Sequence, residues 1–373
     1  MRIALDVSAV PEQPAGAGRY VVELARRLPA GGDEITLVAR RDDAARWRVW
    51  SPGSRVVAPV PAARPLRLAY EALVLGHSPA ARAADVWHGP HYTMPRTGST
   101  PSVVTIHDLT FFTNPEWHEP AKVHYFRRAI AYAARHAAVL VSVSAYTAHV
   151  LDEVLGDHPP VVIAPHGVDL TRFDARDRDR DDDESVRRAG WPAHVPYVAF
   201  VGTLEPRKGL DVLLGAFATL AREDRDVELW IAGQRGWGDA FEALVAGHPA
   251  AARIRRLGFV DDDLVPVLLR RARVVAYPSR AEGFGLPVLE ALACGAVVVT
   301  TADTVMAEVG GDAVTLVPVG DTDALADALA RALALDAHER AAVGLAARRR
   351  AELFTWDASL AQHRRAYAMA VAR

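Results

Sequence analysis

The stretch PSRAEGFGLPVLEALACG, residues 278–295, decides how this chain is read. It follows an apolar run at 274–277 (VVAY) that reads as a strand, and it turns through Ala281-Glu282-Gly283-Phe284-Gly285. It then enters a helix with Pro287 in the first turn, where the fixed φ of proline is an advantage. Glycines on either side of Phe284 let the backbone come close to a ligand, and the helix start offers unpaired N–H groups with partial positive charge. A diphosphate suits both features. Glu282 precedes the helix and Glu290 lies inside it, so at about 1.5 Å per residue the two carboxylates stand about 10 Å or more apart. Paired carboxylates of a retaining glycosidase sit roughly 5 to 5.5 Å apart. The wider spacing suits two acceptors that grip different hydroxyl groups of one long ligand.

Working outward, the same strand–turn–helix unit recurs. Val- and Ile-rich runs at 3–7, 35–39, 86–88, 102–106, 139–143 and 161–164, with helical spacing at 18–28, 120–136 and 145–155, predict one doubly wound parallel sheet. Runs at 197–201, 227–232, 254–257, 274–277, 297–300 and 314–317 predict a second, and helical spacing at 337–353 and 356–372 ends the chain. Between the two sets, residues 171–190 (TRFDARDRDRDDDESVRRAG) alternate in charge and offer no core, which predicts a solvated linker. The expected organisation is therefore α/β: a Rossmann-like domain over 1–170, the linker 171–190, and a second such domain over 191–355. Ligands bind outside the carboxyl ends of strands in such sheets, so the chemistry is expected in a cleft between the two domains.

Bulk properties exclude several classes. With 43 Lys plus Arg against 46 Asp plus Glu, the net charge of −3 lacks the basic excess of a protein that grips nucleic-acid phosphates. Cys294 is the single cysteine, so no intrachain disulfide forms. The chain starts directly on a strand pattern without signal-peptide features, and it has no apolar run of about eighteen residues. These features predict a cytoplasmic protein, at most in peripheral contact with the inner face of a membrane. Lys122 and Lys208 are the only lysines. In so arginine-rich a chain a retained lysine points to a specific role.

Lys208 sits in FVGTLEPRKGL (200–210), where a strand ends at Gly202 and a turn through Pro206 presents Arg207 and Lys208 at a helix start. Cations are disfavoured there unless an anion is present, so the pair suits phosphates. Ile106-His107-Asp108 closes another strand; Asp108 either orients the imidazole or caps the segment that follows. Gly16-Ala17-Gly18-Arg19-Tyr20 imitates a dinucleotide fingerprint but has Val21 at the third glycine position, so a dehydrogenase is disfavoured. His88 and His91 in HGPHYTMP lack the Cys or carboxylate company of a metal site, so no metal is expected.

Taken together, PSRAEGFGLPVLEALACG, VGTLEPRKG, TIHDLTFFTNPEWH and HGPHYTMP resemble retaining glycosyltransferases of family 4, with the GT-B fold, and within it a mannosyltransferase-like bacterial subfamily. The resemblance spans nearly the whole chain. It implies that Glu282 faces the transferred sugar and Glu290 the ribose hydroxyls, while Gly283, Phe284, Gly285 and Leu286 hold sugar and phosphate. Arg207 and Lys208, beside Gly202 and Thr203, would neutralise the leaving diphosphate; many relatives carry an arginine where this chain has Thr203. It further implies that His107 lies near the reacting carbon, that Gly16 and Gly18 approach the donor phosphates, and that His88, His91, Tyr92 and Asp108 belong to the acceptor side. The helix 356–373 would pack back on the first domain. The implied enzyme is a metal-independent, cofactor-free hexosyltransferase that uses a nucleotide-diphosphate sugar, GDP-mannose first and UDP-sugars as the alternative. A saccharide, glycolipid or small molecule would be its acceptor. A GT-B epimerase or phosphorylase, or an inactive nucleotide-sugar binding protein, is the alternative from another class.

Overall fold

Seven strands form the first sheet of the computed structural model: β1 (Arg2–Asp6), β2 (Glu34–Arg40), β3 (Arg55–Val60), β4 (Val86–Gly89), β5 (Ser102–Ile106), β6 (Val139–Ser142) and β7 (Val161–Ile163). They are ordered β3-β2-β1-β4-β5-β6-β7, and every pair is parallel. The second sheet holds β8 (Tyr197–Val201), β9 (Glu228–Ala232), β10 (Ile254–Gly258), β11 (Val274–Tyr277), β12 (Val298–Thr301) and β13 (Thr315–Val317), ordered β10-β9-β8-β11-β12-β13 and again all parallel. The structure describes residues 1–176, 179–192, 195–223, 226–234, 236 and 240–373. They divide into two compact units, Met1–Gly167 with Trp356–Arg373, and Val168–Thr355.

Strands sandwiched by helices are buried on both faces, and this is why the central strands read as unbroken apolar runs rather than alternating ones. Val103, Val104, Val139, Leu140 and Val141 are all fully buried, as are Val198, Ala199 and Phe200 in the second unit. The terminal helix, Trp356–Val371, contributes Trp356, Leu360, Ala366, Tyr367 and Ala370 to the cluster built on Ile3, Leu5, Tyr20 and Leu28. Each large apolar side chain buried in this way stabilises by about 1.5–3 kcal/mol.

Two expectations change. The strand β3 was not anticipated, because RVVAPV carries Pro59 and no clean apolar run; the fold tolerates it because β3 is an edge strand paired only to β2. Its register slips between the partners of Val38 and Arg40, next to that proline. The run 171–190 is not a bare linker among its described residues (Asp177 and Arg178 lie outside them). It carries a helix, Asp179–Arg188, that belongs to the second unit. Val186 is buried there, and Asp182 takes both Nε and Nη2 of Arg270 at 2.7 Å. A charged run can enter a folded unit when its charges are paired on arrival.

In both sheets the strand order reverses once, between β1 and β4 and between β8 and β11. Outside the carboxyl ends of those strands lies the crevice where doubly wound sheets bind ligands.

Candidate active site

In the second unit, the chain leaving β8 passes Gly202 and Thr203 into one 3-10 turn, Pro206–Lys208, before the helix Leu210–Arg222 begins. Gly209 separates them. Its φ of 67° is in the left-handed region, and a Cβ there would sit 2.1 Å from the Pro278 carbonyl oxygen. This close approach seats the Arg207-Lys208 turn on the loop that follows β11, and the Arg280 N–H donates to the Arg207 carbonyl at 2.7 Å.

That loop delivers Glu282 into the turn. Only 8% exposed, its Oε2 accepts from Arg207 Nη1 at 2.6 Å. Its Oε1 accepts from Lys208 Nζ, from Ser279 Oγ at 3.1 Å and from the Tyr277 hydroxyl at 3.2 Å. Lys208 Nζ also donates to the Tyr277 oxygen at 2.8 Å, and Arg207 Nε donates to Glu205 at 2.7 Å. Burial pushes the Glu282 carboxyl up, but Arg207 and Lys208 outweigh it and hold the group at about 2. Burial lowers Lys208 by more than Glu282 restores, so its proton is held less tightly than in an ordinary lysine. The anion that two cations at a turn require is thus supplied by the protein itself. Among the described residues Oε1 is fully used, whereas Oε2 keeps one acceptor position, and the Tyr277 and Glu282 bonds use two of the three protons on Lys208.

The loop ends at Gly285, φ 93°, which stands at the N-cap of the helix Leu286–Ala293 with no side chain capping it and Pro287 in the first turn. A Cβ on Gly285 would lie 2.4 Å from the Met306 methyl group. Gly283, Phe284, Leu286 and Glu290 are all buried, and Phe284 meets Phe354 edge-on at 5.9 Å. The turn, glycines and helix start therefore stand as the sequence predicted. Glu282 differs from the expectation in being committed to cations.

In the first unit, His107 follows β5 and is buried. Its Nε2–H donates to the Pro90 carbonyl at 2.7 Å, which fixes the tautomer and leaves the Nδ1 lone pair without a protein partner among the described residues. Burial lowers its pKa despite Pro90 and Asp108, so the ring is neutral. Tyr20 and Tyr92 wall it edge-on at 5.3 and 5.4 Å. Gly16 caps the helix Ala17–Arg27 with φ 46°, and Gly18 lies in its first turn.

The acceptor-side expectations are corrected in two places, at His88 and Tyr92. His88 is fully buried with both ring nitrogens engaged, Nδ1 to Tyr367 and Nε2 to Thr105, so it has nothing to offer a ligand. Tyr92 is buried at φ 64°, with its hydroxyl accepting from the Asp108 N–H at 3.2 Å and its ring edge-on to His107. Of the two roles the sequence left open for Asp108, capping is the one seen: its Oδ1 accepts from Thr110 N–H at 3.0 Å and Thr110 Oγ1 at 2.7 Å. His91 is partly exposed as a residue, though its Nδ1 is sealed without a hydrogen-bond partner, and burial pulls its pKa down to about 3. Among the described residues no group of three or more His, Cys, Asp or Glu comes together as a metal site.

Sequence reasoning missed a charged cluster beyond β1. Ser8 donates its N–H to Asp6 at 3.0 Å and its Oγ to Glu71 at 2.8 Å, while Arg67 pairs with Glu71 at 3.3 Å. Burial, and then Asp6, raise Glu71 to about 8. The available signal was Asp6, a polar residue closing an apolar strand; Glu71 lies on a helix, Arg64–Leu73, that no motif announces.

Comparison with known proteins agrees with this geometry. Residues 181–350 match the family model described as glycosyl transferases group 1, and residues 14–172 that described as glycosyltransferase family 4. The chain is 29% identical to the O-antigen chain mannosyltransferase B of Escherichia coli over 98% of its own length and 99% of that protein. It is 31% identical to the D-inositol 3-phosphate glycosyltransferase of Salinispora arenicola, covering 96% and 88%. The sucrose-phosphate synthase of Thermosynechococcus elongatus shares the fold, with a TM-score of 0.78 at 22% identity, over 100% of this chain and 99% of that one. The chain belongs to glycosyltransferase family 4, has the GT-B fold of two doubly wound domains, and is a glycosyltransferase that uses a nucleotide sugar.

Proposed function

We propose that this enzyme transfers mannose from GDP-mannose to a hydroxyl of a saccharide or lipid-linked acceptor, with retention of configuration and without a metal ion. The observation that carries the reading is the turn that sets two cations, Arg207 and the buried Lys208, at the carboxyl edge where the strand order reverses. The uncapped start of the helix Leu286–Ala293 adds N–H donors. Fixed charges of this kind stabilise a departing diphosphate by themselves. Likeness to a mannosyltransferase over almost the whole chain supports mannose as the transferred sugar.

In this reading the bond between C1 and the phosphate oxygen breaks, the acceptor oxygen bonds C1 from the same face, and the acceptor proton passes to the departing phosphate. Glu282 does not act as a nucleophile, since its Oε1 is saturated and Oε2 is held by Arg207; its remaining acceptor position takes a sugar hydroxyl. Glu290 takes the ribose hydroxyls, and His107 Nδ1 accepts from a hydroxyl near the reacting carbon. The test is release of nucleoside diphosphate from GDP-mannose, UDP-glucose and UDP-N-acetylglucosamine in the presence of EDTA, with the product anomer read by NMR. GDP release and an α-mannoside are expected. Turnover of UDP-sugars alone, loss of activity in EDTA, or an inverted anomer overturns the corresponding part.

A further inference from the structure

A second feature of the first unit has no part in the chemistry described so far: five buried polar side chains joined end to end. Tyr20, His88, Thr105, His363 and Tyr367 are each 0% exposed. Tyr20 lies on the helix Ala17–Arg27, His88 on β4, Thr105 on β5, and the other two on the terminal helix Trp356–Val371. His363 Nδ1 lies 2.8 Å from the Ser359 carbonyl, which only accepts, so Nδ1 carries the proton. Burial keeps both His363 and His88 neutral.

With that end fixed, every other proton is determined. His363 Nε2 accepts from the Tyr20 hydroxyl at 2.7 Å. Tyr20, its proton spent, accepts from Thr105 Oγ1 at 2.9 Å. Thr105 in turn accepts from His88 Nε2–H at 2.9 Å, and His88 Nδ1 accepts from the Tyr367 hydroxyl at 2.8 Å. The run has one direction and leaves and returns to the same helix. Tyr20, between Thr105 and His363 in the run, presses edge-on against His107 at 5.3 Å and lies against His166 at 4.8 Å. Such a chain, buried in a medium of low polarity, has each bond polarised by the next and rigidifies what it touches.

We propose that this one-way hydrogen-bond chain, anchored on the terminal helix, makes Tyr20 a positioning residue for His107, holding the imidazole whose Nδ1 meets the substrate. The inference rests on the role proposed above for His107. Tyr20 also stands two residues beyond Gly18, so the same chain fixes the helix that follows the glycine-rich loop.

The test uses variants that remove one oxygen each. Tyr20→Phe keeps the ring against His107 but leaves Thr105 without an acceptor and His363 without a donor. We expect kcat to fall about 10-fold with the donor KM nearly unchanged, the signature of misplacement near the reacting atoms. The His107 imidazole ¹⁵N resonances, assigned by their loss in His107→Gln, should shift. Thr105→Val should behave likewise and Thr105→Ser should restore the wild-type values, a rescue that a packing role does not give; this pair carries the test if Tyr20→Phe does not fold. Tyr367→Phe, at the far end, should cost less than either. Wild-type kcat together with unshifted His107 resonances in Tyr20→Phe and Thr105→Val overturns the proposal. If His107→Gln keeps full activity, it is the role of His107 that fails, and the resonances alone decide whether Tyr20 positions the ring.

Discussion

Each sheet reverses its strand order once, and at both reversals the chain buries charge, but with opposite balance. Beyond β8, Arg207 and Lys208 both close on the buried carboxylate of Glu282, while Arg207 turns its Nε to the more exposed Glu205. Beyond β1, Asp6 and Glu71 share Ser8 and the cation Arg67. Burial acts in the same direction on all three carboxyls; the count of cations decides the outcome. Glu282 is driven down to about 2, whereas Glu71 rises to about 8, with Asp6 raised beside it. At the first, two cations hold one buried carboxylate ionised. The other relieves its own negative charge by holding a proton near neutral pH, and offers nothing to a phosphate. A doubly wound sheet supplies the same crevice twice, and the residues at strand ends decide which crevice takes the anion.

The comparison breaks most readily at Lys208. Replacing it by Met should lower kcat/KM by about 10²–10³-fold, the usual scale for losing one group that stabilises a leaving charge. Asp6→Asn should cost less than about 10-fold by the same reasoning, and equal losses at both would remove the distinction. Stability comes next. Glu282→Gln leaves the buried Lys208 without its counter-ion and Arg207 with Glu205 alone, and should cost about 3 kcal/mol in urea unfolding. If unfolding is unchanged, the carboxylate is not the keystone of the turn.

The two carboxyls also predict pH dependences of opposite sign. Glu282, its folded pKa depressed, contributes stability that is complete above the ordinary carboxylate value and is lost as pH falls toward 2. Glu71, its folded pKa raised, holds a proton in the folded chain that the unfolded chain releases, so its contribution declines as pH climbs from the carboxylate range through about 8. Relative to wild type, Glu71→Gln should therefore gain stability across that window, by at most about 1.4 kcal/mol per pH unit. A flat difference refutes the shared-proton description. Smallest of all, Thr203→Arg places a third cation after the strand glycine. In this half-exposed position it should tighten nucleoside diphosphate binding by about 3-fold, measured by calorimetry.

Most of this was legible in the sequence because it is local. A strand run, a glycine turn and a helix start are contiguous, so residues 278–295 and 200–210 announced both the fold and the cation-bearing loops. Pairing across the fold was not legible. Nothing in the spacing of Glu282 and Arg207, 75 positions apart, says that they share a hydrogen bond. The same holds for Tyr20 and His363, 343 positions apart, and for Ser8 and Glu71. His88 misled for the complementary reason: a histidine at a strand end looks ligand-facing until the packing of the terminal helix covers it. The charged run 171–190 read as linker because its partner, Arg270, lies far downstream.

The central claim is that the two-cation turn is the diphosphate site, and calorimetric titration with GDP in the presence of EDTA tests it most directly. The account predicts saturable binding to the wild type, and at least about 10-fold weaker binding to the Arg207→Ala and Lys208→Met variants, each having lost a charge-assisted bond. Binding of GDP, UDP and ADP to both variants as tightly as to the wild type, or to none of the three proteins, would contradict it.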